Sequence, residues 1–385
     1  MMQSLRIFCL LVLFMALAGC SRKAVTAPLT PHHAKYSLSL FSPLEEHTAR
    51  PLTDAEAMRL VRQLSPKNQG LTSWNDMKNA VAASLSFASS RPANSTALSF
   101  PGISATWGDM ARGMHRLQDI LPLLDTTPDL LVRGFQWIRL GPDFSFTGYY
   151  EPTLAASRVP TATLSYPLYR LPPEAKNSRR PYYTRQEIAR KGVLRGKNLE
   201  IAYVDETDAY FLHVQGSGRL RFEDGEILHV LYAGKNNRPY ASLGRIMREK
   251  GLLPEDGVNM KAIREYLKEN PGERAALFDM NESYVFFRAE TYGPYGSMGR
   301  VLTPWVSLAV DRQVIPQGSL TMVLTPLPGP DGKHTVPFSA LTLPQDSGGA
   351  IKGHRVDLFC GAEEGAAHIA GHLDVKGAVY ILLPR

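Results

Sequence analysis

The chain reads as an α+β protein, mainly β, with helices near its N-terminus and barrels or folded sheets making up the rest. Three observations carry this reading. Three stretches within residues 53–121 open on Thr/Ser-x-x-Glu/Asp and then repeat apolar residues at helical spacing. From about Phe144 the texture changes to short runs rich in Val, Tyr, Phe and Thr, separated by turn clusters. Gly 31 and Pro 28 among 385 residues favour a turn-rich, strand-rich body over a helical bundle.

In chain order, Arg6 precedes an apolar run from Ile7 to Leu17, too short to span a bilayer but fit for the core of a signal peptide. It ends in Leu17-Ala18-Gly19-Cys20, which resembles the bacterial lipobox, so residues 1–19 are expected to be removed and Cys20 to be acylated. Ser21 follows where an inner-membrane lipoprotein usually carries Asp, which points to the periplasmic face of the outer membrane. Residues 20–50 are polar and aperiodic and read as a tether with at most one short strand.

Thr53-Asp54-Ala55-Glu56 opens the first helix, with Ala57, Leu60, Val61 and Leu64 on its apolar side. Ser73-Trp74-Asn75-Asp76 opens a second through Met77, Val81 and Leu85, and Thr106-Trp107-Gly108-Asp109 a third through Met110, Met114, Leu117 and Leu121. Strands are expected at 146–152, 165–170, 199–204 and 209–215, with Gln215-Gly216-Ser217-Gly218 as a hairpin turn. Helices follow around Ser242–Lys250 and Met260–Glu269. A second strand-rich block runs from Tyr284 to the end, with strands at 305–310, 319–324, 339–343, 356–359 and 378–383.

The length suits two domains. The formal charge of +7 is mild and spread along the chain without a basic run of five or more, which argues against nucleic acid and leaves room for an anionic polymer or membrane surface. Of three cysteines, Cys9 falls in the leader and Cys20 at its end. Cys360 would be the one thiol of the mature chain, with no disulfide to help a core that must suffice.

The densest polar constellation is Gln345-Asp346-Ser347-Gly348-Gly349-Ala350-Ile351-Lys352-Gly353-His354-Arg355-Val356-Asp357. Two carboxylates this close in a Gly-rich, partly apolar setting can hold each other's charge states apart, as an acid or base working near neutrality requires. A bland alternative has Asp346 capping a turn and Asp357 in a surface ion pair with Arg355 or Lys352. Asp-Ser-Gly is the triplet of aspartic proteases, but that chemistry needs two copies and the chain has one. His368 and His372 stand at i and i+4, the spacing of helical zinc sites. Yet Ile369 replaces the Glu of zinc proteases and Gly371 weakens a helix, so hydrogen-bonded histidines are the simpler expectation. Gly216-Ser217-Gly218 lacks the Lys-Ser/Thr of a phosphate loop, and no Gly-x-Ser-x-Gly elbow exists. Tyr149, Tyr150, Tyr166, Tyr169, Tyr203, Tyr210, Tyr232 and Tyr240 concentrate in the middle block, which suits either a sugar-stacking wall or ordinary strand content.

Seven segments draw these pieces together: FTGYYEP (146–152), YPLYRLP (166–172), HVQGSGRL (213–220), YAGKNNRPYASLG (232–244), ESYVFFR (282–288), LAVDRQVIPQGS (308–319) and QDSGGAIKGHRVD (345–357). In order and length they resemble the membrane-bound lytic transglycosylase A (MltA) family, bacterial lipoproteins that cut murein. The last two also resemble the three-aspartate (3D) domain, a double-psi β-barrel. The resemblance implies that residues 51–146 and 281–385 form one domain, that 147–280 form an inserted β-barrel-like domain, and that a groove lies between them. It implies non-hydrolytic cleavage of the β-1,4 bond between N-acetylmuramic acid and N-acetylglucosamine, leaving 1,6-anhydro ends. In residue terms it implies Asp357 as the acid/base, Asp346 as its partner, and Asp311 with Lys352 as support. Gln215, Gly216, Ser217, Gly218 and Lys235 would face the glycan, with Tyr149 and Tyr150 as walls.

No cofactor and no metal are implied. Partners would be peptidoglycan strands, the membrane through Cys20, and proteins of cell-wall synthesis or division. Met280-Asn281-Glu282-Ser283 and Leu358-Phe359-Cys360 depart from the family pattern, while the acid-bearing motif is intact. A non-catalytic peptidoglycan-binding lipoprotein and a metal-dependent hydrolase using His368 and His372 are the competing classes.

Overall fold

A computed structural model describes residues 45, 48–176, 178–253, 260–329, 334–348, 351–363 and 365–385. The leader and Cys20 lie outside the described residues. The described chain divides into two compact units, one made of residues up to Tyr150 together with Tyr295–Arg385, the other of Glu151–Pro294.

The first unit begins with β1 (Ala49–Pro51), α1 (Asp54–Val61), α2 (Lys78–Ser89), the hairpin β2 (Thr96–Phe100) and β3 (Ile103–Thr106), α3 (Trp107–Ile120), α4 (Leu130–Gly134) and β4 (Phe135–Tyr149). The three expected helix starts are present, each with both halves of its capping box formed. Thr53 and Glu56 open α1, Ser73 and Asp76 a 3-10 turn that leads into α2, and Thr106 and Asp109 α3.

The second unit runs β5 (Thr153–Ala155), β6 (Tyr166–Tyr169), α5 (Arg185–Ala189), β7 (Glu200–Val204), α6 (Glu206–Gln215), β8 (Ser217–Arg221), β9 (Ile227–Lys235), α7 (Leu243–Glu249), α8 (Met260–Glu269), α9 (Arg274–Asp279) and β10 (Val285–Glu290). Its sheet has the order β10-β9-β8-β5, beside a β6-β7 ribbon.

The first unit then resumes with β11 (Ser307–Val310), β12 (Leu320–Pro328), β13 (Thr335–Asp346), β14 (Arg355–Phe359), α10 (Ala366–His372) and β15 (Asp374–Pro384). Its strands order as β1-β4-β14-β11-β13-β12-β15, and β15 pairs back onto β4, so six strands close a barrel with β1 appended. Alternate residues of the barrel strands enter different clusters. Val323, Val379 and Ile381 pack with Val356 and Leu358, while Met322, Tyr380 and Leu382 pack with Leu60, Val81 and Leu117 of the helices. Both faces of β12 and β15 are therefore buried, which explains why they read as continuous apolar runs rather than alternating ones.

Three expectations fail. Residues 209–215 are not a strand but most of helix α6, started by Asp205, whose side chain accepts the N–H groups of Thr207 at 2.7 Å and Asp208 at 3.1 Å. From Thr207 to His213 all but Asp208 are buried, so no apolar stripe marks the helical period. Accordingly Gly216 is no hairpin turn: it caps α6 in the left-handed region (φ 86°), and Ser217 starts β8. Gly371 does not prevent a helix either, because α10 buries Ala366 and Ala370, one turn apart, against β4.

Candidate active site

Asp357 lies in the middle of β14, in register with Thr147 of parallel β4 on one side and Ala309 of antiparallel β11 on the other. Ala309 is in turn paired with Asp346 of β13. Thr147, Asp357, Ala309 and Asp346 therefore form one row across four strands. At about 4.8 Å per strand the two aspartates stand roughly 10 Å apart along it, with only a methyl group between them.

Asp357 is 3 % exposed. Its Oδ1 accepts the Thr147 hydroxyl at 2.7 Å, and Arg355 in turn donates to the Thr147 Oγ1 at 3.5 Å. Burial pushes the Asp357 carboxyl up to about 7, against the pull of the Thr147 bond and the Arg355 charge; the Asp346 charge adds to the rise. A carboxyl in that range exchanges its proton near neutrality, as a single acid/base must. The side chain is buried rather than at the surface, where the ion pair weighed from the sequence would put it.

Asp346 is surrounded by donors. Its Oδ1 accepts the backbone N–H of Ser297 at 2.7 Å and of Ser347 at 2.8 Å, and its Oδ2 accepts the Tyr149 hydroxyl at 3.0 Å. Burial raises its proton affinity and the donors lower it. Three donors and no acceptor suit the ionised form. Tyr149 keeps its proton, since burial first and the Asp346 charge second push the phenol well above its ordinary value. Two residues along β4 from Thr147, its ring packs 5.2 Å from that of Phe359.

Asp311 sits just past β11, where its carboxylate accepts the N–H groups of Gln313 at 3.0 Å and Gly353 at 2.8 Å and so ties down the loop before β14. Lys352 is exposed in that loop. Tyr150 packs on the small cluster of Cys360, Ala366 and Ala370. His368 and His372 lie on α10: the first bonds the Gly329 carbonyl at 3.0 Å, the second the His368 carbonyl at 2.8 Å, and their rings pack tilted, with centroids 4.4 Å apart. Among the described residues, no three His, Cys, Asp or Glu side chains are grouped to hold a metal ion.

The remaining candidates belong to the second unit. Gln215 and Ser217 are half-buried at the junction of α6 and β8, and Lys235 is exposed at the end of β9. A Cβ on Gly218 would lie 2.7 Å from the Leu212 Cδ1 and 3.1 Å from the Pro152 carbonyl oxygen, so a side chain there would press on both where α6 meets β8. Of the eight tyrosines, Tyr169 and Tyr210 are core residues, whereas Tyr232 and Tyr240 are 48 % and 37 % exposed. Thr147 and Ser297 were not singled out from the sequence, and Arg355 was considered only as an ion-pair partner. Thr147 lies within the quoted FTGYYEP segment, but its pairing to Asp357 across 210 residues has no local signature.

Residues 145–288 match the MltA specific insert domain and residues 306–383 the 3D domain. A membrane-bound lytic murein transglycosylase A from Escherichia coli is 31% identical over 303 residues, covering 71% of this chain and 81% of that protein. The chain belongs to the membrane-bound lytic murein transglycosylase A family. Its relative from Vibrio cholerae is 36% identical over 242 residues, and the match spans 64% of that protein's length and 62% of this chain. The crystal structure of a membrane-bound lytic murein transglycosylase from Agrobacterium tumefaciens superposes with a TM-score of 0.63 at 28% identity, covering 88% of this chain and 98% of that one. In this member of the family, both motif aspartates of the 3D match lie in the wall of the closed barrel.

Proposed function

We propose that the chain is a peptidoglycan lytic transglycosylase in which Asp357 is the general acid and then the general base. The observation that carries this reading is a buried carboxyl poised near neutrality with one oxygen, Oδ1, held by Thr147. The other oxygen carries the mobile proton. Asp357 gives it to the glycosidic oxygen as the bond to the muramyl C1 breaks. The carboxylate so formed takes the proton of the muramyl C6 hydroxyl as that oxygen closes on C1. The substrate supplies its own nucleophile within the same sugar, so no second carboxylate need activate water.

Asp346 acts on Asp357 as a like charge along the row, and Tyr149 and Ser297 fix its orientation. Asp311 and Lys352 support the loop before β14. Gln215, Gly216, Ser217, Gly218 and Lys235 contact the glycan, and Tyr149 and Tyr150 flank it. The barrel has the double-psi connection of 3D domains, and the inserted domain corresponds to Glu151–Pro294. Cleavage after Gly19 and acylation of Cys20 anchor the protein to the outer membrane, where cell-wall synthesis or division proteins are its neighbours. No helix among the described residues is long and apolar enough to cross a membrane.

The test is digestion of murein sacculi by the full chain in detergent, with mass spectrometry of the sugar ends. Anhydro ends, lighter by one water than hydrolysed reducing ends, are expected, and Asp357→Asn should lower their release roughly 10²–10⁴-fold. Reducing ends, or an Asp357→Asn variant as active as the parent, would overturn the assignment.

A further inference from the structure

The charge that looked evenly spread in the sequence is concentrated on one stretch of the second unit. Residues 176–197 hold eight basic side chains (176, 179, 180, 185, 190, 191, 195 and 197) and one acidic one, Glu187. Four of the eight are internally used. Arg185 is buried, Arg190 pairs with Glu206 and Asp279, Lys191 with Glu187, and Lys197 with Glu174. Lys176, Arg179, Arg180 and Arg195 are exposed, and none has a carboxylate partner among the described residues.

The segment carrying Arg179 and Arg180 is held in place from below. Asn237 donates its side-chain amide to the carbonyls of Ser178 at 2.7 Å and Arg180 at 3.3 Å. Asn236, 0 % exposed, donates to the carbonyls of Tyr183 at 2.9 Å and Glu282 at 2.8 Å. Its side-chain oxygen accepts the N–H of Tyr284 at 2.9 Å and of Arg238 at 3.3 Å. The backbone N–H of Tyr182 closes the knot on the Asn236 carbonyl at 2.8 Å. A fully satisfied buried amide of this kind fixes one loop conformation, so the guanidinium groups project from an ordered base. The same knot is continuous with Lys235, which brings Arg179 and Arg180 alongside a proposed glycan contact. Exposed cations held on a fixed base and lacking their own anions suit a partner that brings carboxylates at regular intervals.

We infer that the face formed by Lys176, Arg179 and Arg180 beside Lys235 is a docking surface for the carboxylate-bearing peptide stems of the murein strand. The inference rests on the proposed function and adds to it a second, peptide-directed recognition element. Guanidinium groups pair with carboxylates through two parallel hydrogen bonds, so this surface would keep a stem-bearing strand seated while the glycan itself is held elsewhere on the chain.

The experiment compares the full chain with Arg179→Glu/Arg180→Glu and Arg179→Lys/Arg180→Lys on two substrates, intact sacculi and glycan strands stripped of their stems by an amidase. Binding is read by pelleting or gel retention and turnover by product release, so a failure of the lytic reading leaves the binding arm standing. The charge-reversed pair should weaken binding to intact murein and raise its KM roughly five- to tenfold, with kcat unchanged and both values unchanged on stripped strands. The lysine pair should restore most of the affinity, and added salt should narrow the gap between parent and charge-reversed protein. Equal losses on both substrates, or no loss on either, would overturn the inference. So would lost binding to phosphatidylglycerol vesicles with murein binding intact, which would assign the face to a membrane surface.

Discussion

At the residue scale, the Asp357 environment ties stability and chemistry to one proton. Its native carboxyl titrates at about 7 against an ordinary value of 3.8, so between those values the folded chain keeps a proton that the unfolded chain has released. Stability contributed by this group is therefore full below pH 4, falls as pH rises, and levels above 7. The difference amounts to roughly 4 kcal/mol. Asp357→Asn, which cannot ionise, should match the parent in urea unfolding at pH 4 and exceed it by about that amount at pH 8. A gap independent of pH would mean that the carboxyl is not buried as described.

Activity should depend on the same proton. The acid must enter the reaction protonated, so kcat/KM should fall as pH rises through about 7. Thr147→Val keeps the shape at position 147 and removes the hydrogen bond that favours the ionised form. Its falling limb should move up by roughly one pH unit while kcat drops about tenfold, because Oδ1 is no longer held. An unmoved limb would remove Thr147 from the proton-transfer apparatus. The acidic pattern at 345–357 was legible in the sequence as a candidate acid/base pair. Which aspartate is buried against Thr147 was not, because that depends on a pairing between strands more than 200 residues apart.

At the element scale, strand β4 and helix α10 meet where the chain has no spare volume. A Cβ on Gly148 would stand 3.0 Å from the Ala370 Cα and 3.1 Å from the Cys360 Sγ. Gly148→Ala should cost about 1–3 kcal/mol of stability in urea unfolding and lower activity, since Thr147 and Tyr149 flank the displaced position. Replacing Cys360 by Ala in the same chain should recover part of the loss, as one of the two obstructing atoms is removed. Failure of that rescue would place the strain on the α10 backbone. Capping chemistry made α1, α2 and α3 readable from their first four residues. Helix α6 escaped for a physical reason: with nearly every side chain buried, the sequence loses the polar side that reveals a helical period. Its Asp205 cap was the available signal, and the β-prone Tyr210, Phe211 and Val214 outweighed it.

At the scale of the whole molecule, β15 closes the barrel. It pairs with β12 on one side and along nearly the full length of β4 on the other, and Val379, Tyr380, Ile381 and Leu382 are 0–2 % exposed. Ending the chain after residue 373 should leave two long strand edges and an open core. Loss of the cooperative thermal transition of the barrel is expected by circular dichroism, with no sugar release from sacculi. A truncated chain that still melts cooperatively and still cuts murein would show that closure is dispensable.

Local chemistry sufficed for the helix starts and the candidate acids, because caps and side-chain type act over a few residues, but the change of texture expected near Phe144 came late: β4 already begins at Phe135. Ordered motifs also sufficed for the family, since their spacing is preserved even though their contacts are invisible. The row Thr147–Asp357–Ala309–Asp346, the proton affinity of Asp357 and the burial of Asn236 beneath Arg179 and Arg180 depend instead on strand register, desolvation and long-range hydrogen bonds. Those arise when segments far apart in the chain exclude water together. The +7 charge is the clearest case: dispersed by position in the chain, it becomes an ordered basic face once ion pairs and burial have taken up half of the cations in one stretch.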